Sequence, residues 1–276
     1  MSLQTLSEWL RCPNCFLPLA PGGPAALSCP TGHSFDVNKR GFVSLLSGSR
    51  KLIGDSAAML DARDAFLAAR WYEPLRNALA DLVAAEAPSR MLDVGCGTGY
   101  YLRGVLPDRS DARALAMDLS PAAVARTVRG LDRVDGLVAD VWSPLPVRDA
   151  AADVILNVFA PRNAAQFHRV LRQDGLLAVV IPGEAHLQEL RDAGLALDVH
   201  PDKAGRLVDS LDAWFTPESH RTLSTVMNLS AGEIRALVGM GPSAHHTDAG
   251  ALPEDDGARQ PVTAAFELFG FRRRGG

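Results

Sequence analysis

The chain is short of cysteine and lysine and has no long apolar run, and each shortage narrows its identity. "LLAVVI" (176–181) is far too short to cross a bilayer, so no membrane partner is expected. The opening "MSLQTLSEWLRC" lacks a basic stretch followed by an apolar one, so no secretory leader is expected either. A cytoplasmic location follows as the expectation, and there disulfides are disfavoured. Of the 28 basic residues only Lys39, Lys51 and Lys203 are lysine, a skew that speaks of genome composition more than of function. Arginine is still the better residue for forked contacts to phosphate. Net charge is −4, which by itself gives no hint of a nucleic-acid partner. Basic residues do cluster at "NKRG" (38–41), "GSRK" (48–51) and "FRRRGG" (271–276), and solvated surface is the plain reading of any single cluster.

What is present begins with "CPNCFLPLAPGGPAALSCPTGH" (12–33), which holds three of the 4 cysteines. The spacing is Cys12-x2-Cys15-x13-Cys29-x3-His33. Close-spaced ligand pairs on two turns, with a dozen or so residues between them, suit a tetrahedral zinc ion. Pro13, Pro30, Gly32 and the intervening "PGGP" supply the turns. So small a module has too little core to fold alone, so the metal would supply much of its stability. The alternative is a set of reduced, buried cysteines beside a surface histidine, and four ligand-type residues at these spacings argue against it. Four protein ligands leave no open position, so the zinc is expected to be structural. Such modules bind RNA, DNA, protein or nothing, and the rest of the chain must decide.

At 276 residues, 47% hydrophobic and 22% charged, there is room for one large domain beside this small one. Residues 55–87 carry apolar positions at helical spacing (Met59, Leu60, Phe66, Leu67, then Leu75, Leu79, Leu82), and Pro88 closes the region. Strands are then expected at "RMLDVG" (90–95), "ARALAMDLS" (112–120), "GLVADV" (136–141), "DVILNVF" (153–159) and "GLLAVVIPG" (175–183). Helices fall between them at "PAAVARTVRG" and at "NAAQFHRVLRQDG", the second with Gly175 as its C-cap. "PVTAAFELFGF" (261–271) has the composition of one more strand, antiparallel at the sheet. Residues 244–260 read as a polar loop that leaves His245 and His246 solvated. Continuous apolar strands alternating with amphipathic helices describe an α/β fold with a doubly wound, mostly parallel sheet.

"LDVGCGTGYY" (92–101) joins the first of these strands to a helix. Gly95, Gly97 and Gly99 permit tight turns and close approach of a ligand at the carboxyl edge of the sheet. The pattern is Asp-x-Gly-x-Gly-x-Gly. Its third glycine comes one position early for a dinucleotide fingerprint, and a pyrophosphate would be repelled by Asp93. A cationic sulfonium or ammonium would tolerate that carboxylate, which could alternatively hold a loop amide. Asp118, ending the second strand, is placed to accept from ribose hydroxyls, and Asp140, after the third, to meet an adenine amino group. Three carboxylates in register with three strands describe a pocket for S-adenosylmethionine, completed by Leu119 and Val141. The whole resembles the class I, Rossmann-like methyltransferase fold, with Cys96 as a small packing residue.

At the end of the fourth strand stands "NVFAP" (157–161), where Asn157 is a candidate to orient a planar base and Phe159 to stack on it. Core packing is the competing reading for Phe159. Taken with the Cys12, Cys15, Cys29, His33 knuckle, "FDVNKRGFVSLL", "GDSAAMLDARDAFL", "WYEPLR", "PGEAHLQEL" and "GMGPSAHH", the chain resembles the RlmA/TlrB family of 23S ribosomal RNA (guanine-N1)-methyltransferases. That resemblance implies that Tyr72, Gly99, Tyr100 and His186 touch the cofactor. It implies a homodimer whose zinc modules flank an RNA cleft. The implied target is a guanine in the hairpin 35 region of domain II, with resistance to tylosin-type macrolides in some members. The expected division is a zinc-binding, RNA-recognition module (1–40), a helical linker (41–88) and a methyltransferase domain (89–276). No residue is assigned as general base. A methyltransferase of small molecules or proteins stays open as an alternative, as does a non-enzymatic RNA-binding protein. Methyl-transfer assays on ribosomal RNA, and calorimetry with the cofactor, separate them.

Overall fold

The computed structural model describes residues 2–46, 54–106, 111–241 and 257–275. It opens with a short helix, α1 (Leu3–Trp9), begun by a capping box between Ser2 and Thr5. Four short strands follow, β1 (Ala20–Pro21), β2 (Ala26–Ser28), β3 (Ser34–Asn38) and β4 (Phe42–Ser44). Next come α2 (Ala57–Ala68) and α3 (Glu73–Ala84), separated where Arg70 turns into left-handed backbone at φ 66°. The alternating region is β5 (Arg90–Val94), α4 (Tyr100–Val105), β6 (Arg113–Asp118), α5 (Pro121–Val128), β7 (Val134–Val138), β8 (Ala152–Val158), α6 (Ala164–Val170) and β9 (Leu171–Pro182). The chain ends in α7 (Gln188–Asp192), α8 (Lys203–Leu211), β10 (Phe215–Ser230), α9 (Ala231–Gly239) and β11 (Arg259–Arg273).

The strands form an 11-stranded sheet in the order β1-β2-β3-β4-β7-β6-β5-β8-β9-β11-β10. From β7 to β9 neighbouring strands are parallel, and β11 runs antiparallel between β9 and β10. Strand order reverses between β5 and β8, which places the crevice for a ligand at their carboxyl ends. The period-2 alternation of buried strands divides two cores cleanly. In β9, Leu176, Ala178 and Val180 face the helices α2–α5 and α9, while Leu177, Val179 and Ile181 face α6, α8 and the N-terminal module. This three-layer α/β arrangement has the mostly parallel, doubly wound sheet expected from the sequence.

The N-terminal module is packed into that second core. Leu6, Trp9, Leu10, Cys12 and Leu19 share a cluster with Leu115 and Leu137 of the large sheet and with Leu145 of the loop between β7 and β8. Leu10 bridges Val147, the Arg148 guanidinium donates to the carbonyls of Leu10 and Leu19, and Arg90 lies 4.1 Å above the Trp9 ring. β4 then joins β7 in parallel, Phe42 beside Gly136, so the sheet continues from the module into the alternating region.

One local expectation needs correction, and one strand was not anticipated. The helix at 164–170 stops before Gly175, because Leu171 at ψ 138° already turns into β9. Gly175 lies instead where β8 and β9 shift register, and a side chain there would meet the Asp153 carbonyl at 2.8 Å. The long strand β10 gave no sequence signal, since residues 216–222 are exposed on an edge. Arg50, Lys51, His245, His246 and the end of "GMGPSAHH" lie outside the described residues. Among the described residues no helix is long and apolar enough to cross a membrane.

Candidate active site and metal centre

Cys12, Cys15, Cys29 and His33 converge, with all four ligand atoms within 4.8 Å of one another. The pairs Cys15 Sγ–Cys29 Sγ (3.6 Å), Cys12 Sγ–His33 Nδ1 (3.6 Å) and Cys29 Sγ–His33 Nδ1 (3.3 Å) are edges of a tetrahedron sized for zinc. The knuckle backbones curl back as zinc turns do: Phe16 N–H donates to Cys12 O and Gly32 N–H to Cys29 O. Burial pushes the Cys29 thiol up, but hydrogen bonds with Thr31 and His33 outweigh it and bring it down to about 5. That is a thiolate, the form a metal takes.

The glycine loop leaves β5 at Val94 and reaches α4 at Tyr100. Gly95, Gly97 and Gly99 have φ of 81°, 53° and 78°, a conformation other residues rarely adopt. Space forbids side chains as well: a Cβ on Gly95 would lie 2.4 Å from Ala160 Cβ, and one on Gly99 2.8 Å from Thr127 Cγ2. Asp118 holds this loop to β6, accepting from Gly97 N–H at 3.0 Å and Ser120 N–H at 2.9 Å. A carboxylate has about four acceptor positions, so two remain for ribose hydroxyls. Asp140 has the same form one strand further along, accepting from Trp142 N–H (3.0 Å) and Ser143 Oγ (3.1 Å). Leu119 and Val141 follow these carboxylates at the same sheet edge, and Trp142 beside them is 68% exposed.

An aromatic wall rises at the carboxyl end of β8. Phe159 is 42% exposed and adopts φ 53°, strained for an aromatic residue. Its ring stacks on His186 (6.5 Å, 22°) and faces Tyr101 and Phe266 at 6.3 and 5.7 Å. Tyr72 completes the wall, edge-on to Phe266 at 4.8 Å. The hydroxyls of Tyr72, Tyr100 and Tyr101 are buried without a partner among the described residues. Asn157 is fully buried and spends its amide on the turn, Nδ2 donating to Pro161 O at 2.9 Å and Oδ1 accepting from Arg162 Nη1 at 3.4 Å.

Comparison with known proteins identifies this combination. Residues 10–52 match the family described as the N-terminal zinc ribbon of RlmA, and residues 91–175 match a methyltransferase domain. A putative 23S rRNA (guanine-N1)-methyltransferase of Micromonospora griseorubida is 43% identical, over 95% of this chain and 97% of its own. The 23S rRNA (guanine(748)-N1)-methyltransferase of Streptomyces fradiae is 42% identical over 87% of each. The chain belongs to the RlmA/TlrB family.

As an RlmA/TlrB-family methyltransferase it uses S-adenosylmethionine and a structural zinc. The residues present fit both. The three orphaned tyrosine hydroxyls ask for a polar ligand, the glycine loop leaves space only backbone can border, and the cysteine thiolate suits a metal. Burial, helped by the charge of Asp118, pushes the Asp93 carboxyl up to about 7, and burial alone accounts for most of the rise at Asp118. Both carboxylates gain from a cationic ligand. Burial pushes His186 down to about 4, and its Nδ1 accepts the Ala265 N–H at 3.2 Å. The neutral ring therefore carries its proton on Nε2 and can only donate there. Sequence reasoning in this RlmA/TlrB chain missed Tyr101, Phe266 and Arg63. Arg63 pairs with Asp55 (2.6 Å), donates to Met240 O (2.7 Å) and lies over Gly97. Only its place in "GDSAAMLDARDAFL" hinted at it.

Proposed function

We propose that the protein transfers a methyl group from S-adenosylmethionine to N1 of a guanine in the hairpin 35 region of domain II of 23S ribosomal RNA. In doing so it would protect ribosomes from tylosin-type macrolides. The near-full-length likeness to enzymes named for guanine-N1 of 23S rRNA carries this reading. Phe159 supports it, as an exposed ring held in strained backbone beside the cofactor loop, suited to stack on an extruded base. The cofactor supplies an electrophilic methyl on a sulfonium. The chain's own residues do the rest: Asp118 and Leu119 take the ribose side, Asp140 and Val141 the adenine side, and Gly95, Gly97 and Gly99 border the methionine portion with Asp93 beneath. Tyr72, Tyr100 and His186 close over the cofactor, and Phe159 holds the guanine. Asn157 acts through the turn it braces, not on the base edge. Guanine N1 carries a proton that must leave, and His186 as an Nε2–H donor is not its acceptor. Alignment of N1 with the methyl supplies much of the acceleration. We assign RNA recognition to residues 1–40, a linking role to 41–88 and catalysis to 89–276, in a cytoplasmic homodimer.

Protein-free 23S rRNA from a deletion strain, incubated with purified protein and S-adenosylmethionine, tests the reading. N1 methylation blocks the pairing edge, so reverse transcription should stop at one guanine of hairpin 35, and mass mapping should place the methyl there. Methylation only of small molecules or protein would overturn it. Phe159→Ala should lower kcat at least tenfold while changing RNA affinity less than about threefold, since stacking on one base is a small share of the contacts.

A further inference from the structure

Of the three loop glycines, Gly97 has a cation as its nearest neighbour. A Cβ built there would lie 2.9 Å from Arg63 Nη1, whereas Gly95 faces Ala160 and Gly99 faces Thr127. Arg63 stands in the middle of α2, which begins at the Ser56 cap and packs along α9, with Gly239 against Ala62. Its guanidinium is steered from two sides. Nη1 pairs with Asp55 Oδ2 at 2.6 Å, and Nη2 donates to the Met240 carbonyl at 2.7 Å. Asp55 is itself fastened to the end of β6, where Ser120 Oγ donates to its carbonyl at 2.9 Å and Ser120 N–H donates to Asp118 Oδ1 at 2.9 Å. Asp118 in turn takes the Gly97 N–H at 3.0 Å. Gly97 is therefore gripped through its N–H by a carboxylate and bordered, on the side where a side chain would stand, by a guanidinium. A guanidinium has five N–H donors in a fixed fork. Two of its nitrogens are engaged and the side chain is still 24% exposed, so donors remain for a ligand.

We infer that the Arg63 guanidinium binds the α-carboxylate of the cofactor's methionine portion and so makes the site selective for a ligand that carries that group. The inference rests on the placement of the methionine portion at the glycine loop given above. Charge favours it. Asp93 and Asp118 suit the cofactor's sulfonium and ammonium, but its carboxylate has the opposite sign and is repelled by both. Such a group needs a cation with free N–H donors, and a guanidinium meets it with charge-assisted hydrogen bonds. Asp55 shares the guanidinium and aims it, which leaves the unspent part of the fork to the ligand. An Arg63 that only tied Asp55 to Met240 would be indifferent to the ligand's carboxylate, and that difference is measurable.

The test is calorimetry on the full-length, zinc-containing protein with two ligands, S-adenosylmethionine and its decarboxylated form. Both keep the sulfonium and the amino group, and they differ in the carboxylate. The wild type should bind the intact cofactor about tenfold more tightly, the scale of a hydrogen bond between charged groups. Arg63→Gln should weaken S-adenosylmethionine about tenfold and the decarboxylated ligand less than about twofold, so that the preference collapses. Arg63→Lys keeps the charge without the fork and should retain part of the preference; it is a second arm should the glutamine variant fold poorly. Equal losses for the two ligands in either variant would reduce Arg63 to a brace for the loop and overturn the seat. Equal affinities in the wild type would overturn it without any variant. Asp118→Ala should weaken both ligands alike. If it binds both as the wild type does, the placement of the cofactor at this loop falls, a failure distinct from that of the seat.

Discussion

Asp93 lies beneath the glycine loop with its carboxyl raised to about 7 by burial and by the Asp118 charge. An acid whose folded value lies above its unfolded one binds a proton more readily when folded. Its contribution to stability is therefore present at low pH and lost as pH rises toward 7. A sulfonium nearby favours the ionised form, so cofactor binding should expel this proton. S-adenosylmethionine affinity should then rise about tenfold from pH 6 to pH 8 and level off above. S-adenosylhomocysteine, with the same amino group but no sulfonium, should show a much flatter profile, and Asp93→Asn should flatten both. Calorimetry in two buffers reads the proton directly, and identical profiles for the two ligands would mean Asp93 does not sense the sulfonium. Tyr72 offers a second residue-level measurement, because its buried hydroxyl has no partner among the described residues. Tyr72→Phe should leave the melting temperature of the free protein unchanged or slightly higher. Cofactor affinity should fall about fivefold, the scale of one hydrogen bond. The tight turn through Gly95, Gly97 and Gly99 was legible in the sequence because its spacing is local. Phe266 and Tyr101 were not, because β11 brings Phe266 back to Tyr72 from nearly two hundred residues away in sequence.

At the scale of elements, legibility followed burial. Each strand from β5 to β9 is flanked on both faces, so each reads as an apolar run, and all five were visible. Among the described residues β10 pairs on one side only, and it is largely exposed over its first half, so its 16 residues carry no apolar run to mark a strand. The zinc ligands were legible for a different reason: a tetrahedral ion fixes its own spacing. What spacing did not reveal is that the module shares a core with the large sheet through Trp9, Leu10 and Leu19. Zinc loss should therefore reach beyond residues 12–33. Metal analysis should find one zinc per chain, and Cys12→Ser should lower the melting temperature of the whole protein. A loss of about 2 kcal/mol, small for a structural zinc, corresponds to roughly 4–8 °C in a chain of this size. A variant melting as the wild type does, or a zinc-free protein of full stability, would refute the structural role. The proposed cofactor site, at Asp118 and the glycine loop, draws no residue from 12–33, so cofactor binding should survive in the variant below its melting point.

The molecule as a whole is acidic, at net charge −4, so RNA binding requires that positive charge be gathered on one face. The three arginines near the C-terminus are not that face. Arg272 is held by Glu86 and Glu218, Arg274 by Asp212, and Arg273 donates to the Leu171 carbonyl. They fasten β11 to its neighbours. Lys39 and Arg40 differ: they occupy the exposed turn between β3 and β4, beside the zinc module, and the Arg40 backbone N–H is fixed by Asn38 Oδ1. Arg50 and Lys51 follow a few residues later in sequence. A homodimer would present two such faces across one cleft. Each phosphate contact contributes about 0.7 to 0.9 to the salt slope, according to strandedness. Arg40→Ala with Arg50→Ala should therefore weaken binding alike on all RNA sequences and flatten the slope by roughly 1.5. Arg274→Ala should leave the slope untouched, since its charge is already answered. Filter binding or fluorescence anisotropy across a salt series reads all three proteins. An unchanged slope in the double variant would remove this face from the RNA path and leave the zinc module in need of another partner.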